Sequence, residues 1–301
     1  MAPSTSSDAP FGRMLTAMVT PMTADGAVDY DGAARLATHL VDERRHDGLV
    51  LSGTTGESPT TSDAEKEQLV RVVLDAVGDR ATVVAGVGTN DTAHSIELAG
   101  QAERAGAHAL LVVTPYYNKP PQAGLMRYFT AVADATGLPN MLYDIPGRTG
   151  TAIHTETLVR LAEHPRIVAV KDAKGDLFGS SDVMSRSGLV YYSGDDALNL
   201  AWLAHGGVGI VSVIGHAAPR KCADLVEAMT RGDLVEARRI HQELLPVVRA
   251  IMTRTQGAIA AKAALQLQGV LTNRTMRRPL IDLTESEVAV LRADLAAAAL
   301  L

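Results

Sequence analysis

The strongest constraint on the fold is a repeated alternation of short apolar segments with longer amphipathic ones. Each short segment is rich in β-branched residues, ends in a turn rich in Gly, Thr, Asp or Pro, and is followed by a pattern with helical spacing. Such alternation predicts parallel strands joined by crossover helices. The predicted strands are 14–20, 48–53, 81–86, 108–114, 139–144, 166–172, 189–194 and 208–213.

Eight strand–helix units over about 230 residues match the size of a (β/α)8 TIM barrel. Helices are predicted to begin after Ser62 and Asp91, because Ser and Asp are good N-cap residues. Helical patterns continue beyond the eighth strand, and the first of them would complete the barrel. We therefore predict a flexible N-terminal tail over 1–12, a catalytic barrel over 13–231 and a C-terminal helical region over 232–301.

An open, doubly wound α/β sheet is the alternative fold. That fold normally shows a glycine-rich dinucleotide-binding turn after an early strand. The candidate segment here, 85–91 with the sequence AGVGTND, has only two of the three glycines of that fingerprint. We interpret it as a simple turn, which favours the barrel.

Charge and cysteine content exclude several classes of protein. The chain has 28 Lys and Arg against 34 Asp and Glu, a net charge of −6, and no basic run that would follow a nucleic acid or an anionic membrane. Its single cysteine, Cys222, cannot form an intrachain disulfide and is predicted to be a small buried side chain. The N-terminus lacks the features of a secretory signal, and no apolar stretch approaches the roughly 18 residues of a membrane span. We therefore expect a cytoplasmic protein.

Polar residues collect in the turns that follow the predicted strands. In a TIM barrel these turns lie at the face that carries the catalytic groups. The turns with the most distinctive sequences are 52–58, 114–120, 143–150, 171–176 and 193–197. The sequence therefore predicts an active site at this face.

Lys171 stands at the end of the apolar strand RIVAVKD. A lysine at such a position often only extends its ammonium group into solvent. Parallel barrel strands are covered on both sides, however, and an amine that is desolvated there has a lowered pKa and can attack a carbonyl carbon. Tyr143 ends the preceding strand, where it is either a packed aromatic or a proton shuttle beside Lys171.

Two further turns offer groups that could bind carboxylates. Thr54 and Thr55 lie between Gly53 and Gly56, where backbone N–H groups can be exposed to an anion, although turn formation alone also explains the glycines. Arg148 follows the fifth strand. Its guanidinium matches a carboxylate in two-point geometry, but an arginine in such a loop is often simply solvated.

Other residues of these turns have simpler interpretations. Tyr116 and Tyr117 lie on a proline-stiffened loop, where exposed aromatic side chains often form an interface. Asp195 and Asp196 are interpreted as helix N-caps rather than metal ligands, because no cluster at ligand spacing accompanies them. Lys174 is interpreted as a solvated charge.

The segments SGTTGESPT, TPYYNKP, YDIPGRT, VKDAKGD and SGDDA together resemble the pyruvate-dependent class I aldolase superfamily, and most closely its dihydrodipicolinate synthase family. The resemblance runs from about residue 14 to the C-terminus, in order and with the family's spacing. It implies a TIM barrel that condenses pyruvate with L-aspartate 4-semialdehyde in the biosynthesis of lysine and diaminopimelate. It further implies a homotetramer built from tight dimers, and a reaction that needs no metal or organic cofactor.

The resemblance also implies a role for each site residue. Lys171 is similar to the lysine that forms a Schiff base with the C2 ketone of pyruvate. Thr54 and Thr55 belong to the turn that holds the pyruvate carboxylate. Tyr143, Thr55 and Tyr117 match a proton relay in which the last tyrosine comes from a neighbouring subunit.

Three more positions match residues that line the family's pocket. Arg148 matches the arginine that holds the carboxylate of the second substrate, and Gly194 and Val211 line the pocket through their backbone. Because N-acetylneuraminate lyase and 2-keto-3-deoxygluconate aldolase share the lysine, the tyrosine and a related turn, they are alternatives. Arg148 favours a short substrate with a distal carboxylate over a neutral polyol.

A hypothesis of another class is a barrel that has lost turnover and serves as a binding or scaffold protein. Such a protein should have lost at least one of the residues that the chemistry needs. The chain retains the lysine, the tyrosine, the threonine and the arginine, namely Lys171, Tyr143, Thr55 and Arg148. An enzyme is therefore the favoured interpretation.

The chain departs from the family at the site where lysine inhibits some members. Lys66 and His94 replace the histidine or glutamate and the glutamate of the sensitive relatives, whereas Ser58, Asn90 and Tyr116 are kept. A cation in place of an acceptor should repel the ammonium groups of lysine. We therefore predict weak or absent feedback inhibition by lysine.

Overall fold

Eight parallel strands form a closed barrel in the computed structural model, which describes residues 8–43 and 45–301. Neighbouring strands pair in chain order, and the first strand pairs with the eighth to close the barrel. The strands are β1 Met14–Ala17, β2 Gly48–Leu51, β3 Thr82–Gly86, β4 Ala109–Val113, β5 Asn140–Asp144, β6 Ile167–Asp172, β7 Val190–Ser193 and β8 Gly209–Ser212.

The predicted TIM barrel is confirmed. Each predicted strand range contains one strand, and the observed ends lie at most three residues inside the predicted ones. The closed sheet excludes the open doubly wound alternative. Most of the segment 85–91 is the turn after β3, as interpreted from its glycines.

Helices follow the strands on the outside of the barrel and continue beyond β8. They are α1 Tyr30–Thr38, α2 Asp63–Val77, α3 Thr92–Ala105, α4 Gln122–Asp134, α5 Pro146–Thr149, α6 Thr155–Leu161, α7 Leu177–Arg186, α8 Asn199–His205, α9 Pro219–Thr230, α10 Leu234–Val248, α11 Gly257–Leu267 and α12 Glu285–Ala297. None of the helices within the described ranges is long and apolar enough to cross a membrane.

Both predicted N-caps are present. The Ser62 hydroxyl accepts a hydrogen bond from the Glu65 amide, and the Glu65 carboxylate accepts one from the Ser62 amide, which completes a capping box at the start of α2. The Asp91 side chain accepts a hydrogen bond from the Ala93 amide at the start of α3. These caps satisfy backbone N–H groups that have no partner within the helix.

Alternate side chains of each strand point to two separate apolar layers, one inside the barrel and one between the strands and the helices. In β5, Met141 and Tyr143 belong to the inner layer, whereas Leu142 packs outward. The register of β5 with β6 pairs Tyr143 with Lys171. The period-2 alternation of a strand therefore places a phenol and an amine together at the carboxyl end of the barrel.

The N-terminal end of the barrel is closed by Phe11. This side chain is buried in the inner layer, and its amide donates a hydrogen bond to the Tyr192 hydroxyl, which in turn donates to the Gly12 carbonyl. The flexible tail predicted over 1–12 does not extend to Phe11, because burial of its ring holds the backbone against the barrel. Residues 1–7 of that tail lie outside the described residues.

The C-terminal helices pack on the completed barrel. Helix α9 contacts β1 and β8, and its Cys222 is buried, as predicted. Helix α10 packs against α9, and α12 packs against both α10 and α11. The predicted C-terminal region over 232–301 contains α10, α11 and α12.

Candidate active site

Lys171 is buried inside the barrel at the carboxyl end of β6. Its side chain lies over the ring of Tyr143, with Nζ 4.1 Å from the ring centroid. Only 5% of the residue is exposed to solvent. The amine is therefore held against an aromatic face rather than extended into water.

Burial lowers the pKa of Lys171 to about 8, because the ammonium form loses its hydration. The nearby carboxylate of Asp196 acts in the opposite direction, whereas the positive charge of Arg148 lowers the pKa further. With a pKa near 8, about one amine in ten is unprotonated at pH 7. Lys171 thus has the free lone pair that a nucleophile needs.

Asp196 is buried and does not cap a helix, contrary to the interpretation from sequence. Its carboxylate accepts hydrogen bonds from the Ser212 hydroxyl and from the amides of Val213 and Ile214, and so ties β7 to the end of β8. Only Asp195 acts as a cap, by accepting a hydrogen bond from the amide two residues ahead. In the described part of the chain, no group of three His, Cys, Asp or Glu side chains is placed to hold a metal ion.

Tyr143 carries a protonated phenol. Burial raises its pKa to about 12, and interaction with the Thr54 side chain opposes that rise. The threonine that acts on this phenol is therefore Thr54, whereas the resemblance had assigned Thr55 to the relay. Thr55 is buried and is not part of the cavity wall described below.

The turn between Gly53 and Glu57 contains backbone N–H groups that are not used within the turn. Its later amides are used within the turn, since those of Gly56 and Ser58 donate to the Gly53 carbonyl. Among the described residues, the amides of Thr54 and Thr55 have no hydrogen-bond acceptor. Adjacent free N–H groups of this kind bind anions such as a carboxylate.

A cavity of about 260 Å³ opens above Tyr143. This volume lies just below the range of about 300–1,000 Å³ that is usual for drug-sized ligands, and so suits a small substrate. Thr54, Tyr143 and Arg148 lie on its wall, together with Tyr116 and Ile145. Because Arg148 is exposed on the one-turn helix α5, it places a cation where the cavity meets solvent.

Gly194 lies against the Lys171 side chain, whereas Val211 is not on the cavity wall. A Cβ atom at Gly194 would lie 2.9 Å from Cγ and 3.0 Å from Cε of Lys171. The absence of a side chain at Gly194 therefore makes room for the Lys171 side chain. Val211 is buried in the inner apolar layer with Tyr143 and is not on the cavity wall.

Tyr117 does not reach the site within one chain. It is 88% exposed and has a left-handed backbone with φ of 73°. Such a conformation is uncommon for a residue with a side chain and usually indicates a functional constraint or strain. Its neighbour Tyr116 lines the cavity instead, which the sequence did not reveal.

Lys174 is not a solvated charge, contrary to the interpretation from sequence. Its Nζ lies 3.4 Å from the buried Asp144 carboxylate and donates a hydrogen bond to the Ile153 carbonyl at 3.2 Å. Burial raises the pKa of Asp144 to about 6, and the Lys174 charge opposes this rise. Because Ile153 follows α5, the one-turn helix that carries Arg148, this pair helps to fix the position of that helix.

A second buried ion pair supports the site and was missed from the sequence. Glu57, the last residue of the turn over 53–57, pairs with Lys262 of α11. Lys262 lies in the middle of the apolar run AIAAKAALQL, and a lysine in such a run needs a buried partner. That pattern indicates a buried ion pair from the sequence, but it does not identify the partner of Lys262.

A sequence model of the dihydrodipicolinate synthetase family matches residues 10–298. The 4-hydroxy-tetrahydrodipicolinate synthase of Kineococcus radiotolerans is 68% identical over 291 residues, which cover 97% of this chain and 94% of the relative. Similarity at this level extends over the whole barrel and the C-terminal helices.

Solved structures of dihydrodipicolinate synthases are also similar to this chain over nearly its whole length. The dihydrodipicolinate synthase of Cyanidioschyzon merolae, solved with lysine bound, is 42% identical with a TM-score of 0.92, over 97% of this chain and 99% of that one. The chloride-inhibited enzyme of Acinetobacter baumannii, solved with pyruvate, is 34% identical with a TM-score of 0.92, over 97% of this chain and 100% of that one.

Proposed function

The chain belongs to the dihydrodipicolinate synthetase family, and we propose on that premise that it condenses pyruvate with L-aspartate 4-semialdehyde through a Schiff base on Lys171. The product is 4-hydroxy-tetrahydrodipicolinate, in the biosynthesis of lysine and diaminopimelate. The observation that carries the proposal is the desolvated amine of Lys171, which is held over the ring of Tyr143. Tyr143 in turn lies on the wall of a small cavity together with Arg148.

The first half of the reaction activates pyruvate. The neutral amine of Lys171 attacks the C2 carbonyl carbon, the Tyr143 phenol protonates the departing oxygen, and water leaves as the iminium forms. The iminium withdraws electrons, so the Tyr143 phenolate left by the preceding step takes a proton from the pyruvate methyl group and an enamine results. The amides of Thr54 and Thr55 hold the pyruvate carboxylate during these steps.

The second half forms the carbon–carbon bond. The enamine carbon attacks the aldehyde carbon of the semialdehyde, and the new alkoxide takes a proton from the relay that begins at Tyr143. The amino group of the same substrate then attacks the iminium carbon and displaces Lys171, which closes the six-membered ring and frees the enzyme. Arg148 binds the substrate's carboxylate in two-point geometry.

The proposed reaction requires no metal or organic cofactor. Lys171 is itself the electron sink, because the iminium nitrogen accepts the electron pair released from the methyl group. Asp196 stabilises the positive charge that develops at this nitrogen, since its carboxylate opposes the lowering of the Lys171 pKa by burial.

Replacing Arg148 with alanine should separate the two substrates. We expect kcat/KM for the semialdehyde to fall on the order of 100-fold, since a charge-assisted carboxylate contact contributes about 3 kcal/mol. The yield of the borohydride-trapped pyruvate adduct should change little. Equal losses for both substrates would contradict the assignment of Arg148 to the second carboxylate.

The alternative, a pyruvate-dependent sugar-acid aldolase, is tested by the same enzyme preparation. Turnover with pyruvate and L-aspartate 4-semialdehyde should greatly exceed turnover with pyruvate and N-acetylmannosamine. The charge of Arg148 on the cavity wall favours this result, because a neutral polyol gains little from a guanidinium. A preference for the sugar would overturn the proposed substrate.

The rate of Schiff base formation should rise with pH and level off above about pH 8. The reason is that burial lowers the pKa of Lys171 to about 8, so the reactive neutral fraction grows tenfold per pH unit below this value and saturates above it. Rapid-quench trapping of the pyruvate adduct across pH 6–10 measures this profile. A rate that still rises steeply at pH 10, as expected for the ordinary lysine pKa of 10.5, would contradict the burial of the amine.

Tyr117 is proposed to complete the relay of a neighbouring subunit. Its exposure and its left-handed backbone fit a side chain that is presented to a partner rather than to its own site. This role requires at least a dimer, and the proposed assembly is a homotetramer of two tight dimers. Sedimentation of the purified protein measures the assembly, and a monomer with full activity would contradict the role of Tyr117.

Lysine should inhibit this enzyme weakly or not at all. Asp63 lies between Lys66 and His94, at 3.5 Å from Nζ of the former and 2.8 Å from Nε2 of the latter, so both replaced positions already belong to one ion-pair network. An added lysine would place its ammonium groups against Lys66. Steady-state assays should give an inhibition constant above about 1 mM, roughly −4 kcal/mol of binding. A submillimolar constant would refute this prediction.

A further inference from the structure

The Glu57–Lys262 ion pair joins the turn over 53–57, which we propose holds the pyruvate carboxylate, to the C-terminal helical region. The two side chains are 0% and 1% exposed, and Nζ of Lys262 donates a hydrogen bond to the Glu57 carboxylate. The same Nζ donates to the Thr275 carbonyl at 2.8 Å. The contact therefore spans the barrel, α11 and the segment after α11.

Glu57 occupies the end of the turn in a conformation that needs support. Its φ is 57°, in the left-handed region, where side chains other than glycine are strained. Its amide donates to the Thr54 carbonyl at 3.3 Å, so the position of Glu57 constrains the residue that faces the substrate. The second oxygen of its carboxylate accepts a hydrogen bond from the Arg277 amide at 2.8 Å.

Further contacts make this connection rigid. The Arg277 guanidinium donates to the Thr60 carbonyl and, at two points, to the Glu65 carboxylate at the start of α2. On the other side of the turn, the Thr20 hydroxyl donates to the Gly56 carbonyl at 2.7 Å. The turn is thus held at its end by the C-terminal region and at its flank by the loop after β1.

We propose that Glu57 and Lys262 are positioning residues, whose buried contact fixes the Gly53–Glu57 turn in the conformation that holds the pyruvate carboxylate. The inference rests on the proposed function, since it deepens the role of the same turn. The proposal also gives the C-terminal helical region a role in catalysis, because α11 supplies Lys262, the cation that holds the turn. Neither residue touches substrate, so both act through the free amides of Thr54 and Thr55.

The test removes the charge of both partners at once, as Glu57→Gln with Lys262→Met, because a single replacement would leave a buried charge unpaired. Trapping with borohydride at increasing pyruvate concentration gives the half-saturating concentration and the maximal adduct yield. We expect the half-saturating concentration to rise at least tenfold. The maximal yield and the KM for the semialdehyde should change less than twofold.

A matched control lies in the same region. Arg254 pairs with Asp294 of α12 and has no contact with the turn, so Arg254→Met removes a C-terminal ion pair without touching Glu57. It should leave the half-saturating pyruvate concentration unchanged. A folded double variant that saturates at the wild-type concentration would overturn the proposal, as would an equal shift in the control.

A measurement on the wild-type protein decides the question even if the double variant does not fold. Formation of the trapped adduct should slow hydrogen exchange at the Arg277 amide, which binds Glu57, and at the turn amides, but not in α12. Unchanged exchange at Arg277 in the adduct would overturn the proposal. Failure of the proposed Schiff base chemistry is distinct, because the wild-type protein would then form no adduct at all.

Discussion

Lys171→Met should abolish the pyruvate adduct and lower turnover by a factor on the order of 10⁴ or more, because the proposed mechanism uses the iminium on Lys171 as its electron sink. Methionine has nearly the length of lysine and suits a buried site, so the variant should fold. Turnover is measured with pyruvate and the semialdehyde, and the adduct by borohydride trapping. Residual activity within about a hundredfold of wild type would contradict the role of Lys171.

The same variant should be more stable than the wild type at pH 7. Burial lowers the folded-state pKa of Lys171 from 10.5 to about 8, so the unfolded chain holds this proton more tightly. The ammonium therefore destabilises the fold below pH 8, by about 3 kcal/mol, and this cost disappears as pH rises from 8 through 10.5. Urea unfolding at pH 7 should show a gain for Lys171→Met that shrinks by pH 10.

Lys221→Met is the matched control for these measurements. Lys221 lies on α9, is partly exposed and pairs with Glu243, away from the barrel interior. Its replacement should leave adduct formation and turnover unchanged. The free energy of unfolding should shift by about 1 kcal/mol or less, the usual contribution of a surface ion pair.

Tyr143→Phe should lower kcat by about 10² to 10⁴-fold, the usual contribution of a positioned acid or base. The ring remains in the inner apolar layer and over the amine, so the fold and the burial of Lys171 should persist. Only the protonated phenol, whose pKa burial raises to about 12, is lost. The pyruvate adduct should still form, but more slowly, and single-turnover trapping measures that rate.

Tyr192→Phe is a control from the same inner layer. The Tyr192 hydroxyl hydrogen-bonds to Phe11 and Gly12 at the opposite end of the barrel. Its loss should cost about 1 kcal/mol of stability without a change in kcat. Comparable kcat losses in the two variants would contradict a specific role for Tyr143.

The fold was predictable because its determinants are local. Short apolar runs, helical periodicity and N-caps at Ser62 and Asp91 all lie within short windows of sequence. Parallel pairing in chain order then follows from the crossover helices. The burial of Phe11 was not predictable, because it depends on a contact with Tyr192, 181 residues away.

The site was predictable only in part, for the same reason. Lys171 and Tyr143 are neighbours because they end adjacent strands, which the strand order already implies. Whether Thr54 or Thr55 acts on the Tyr143 phenol depends on the direction of each side chain within the turn. This direction could not be predicted, because turns have no fixed period. The partner of Lys174 lies across a loop, and Asp144 could not be recognised as that partner from its own strand.

The Glu57–Lys262 pair joins residues 205 positions apart, a separation that no local pattern encodes. A lysine within an apolar helix indicated that a buried partner exists. Only the packing of α11 on the barrel identifies Glu57 as that partner. Strained backbone at Glu57 and at Tyr117 likewise arises from the tertiary structure rather than from local preference.

The most direct test of the proposed function is to treat the protein with pyruvate and borohydride and to locate the modified residue by mass spectrometry. We predict one reduced pyruvate adduct per chain, on Lys171, with unmodified Lys174 and Lys262. An adduct on another lysine, or no adduct at saturating pyruvate, would contradict the Schiff base mechanism.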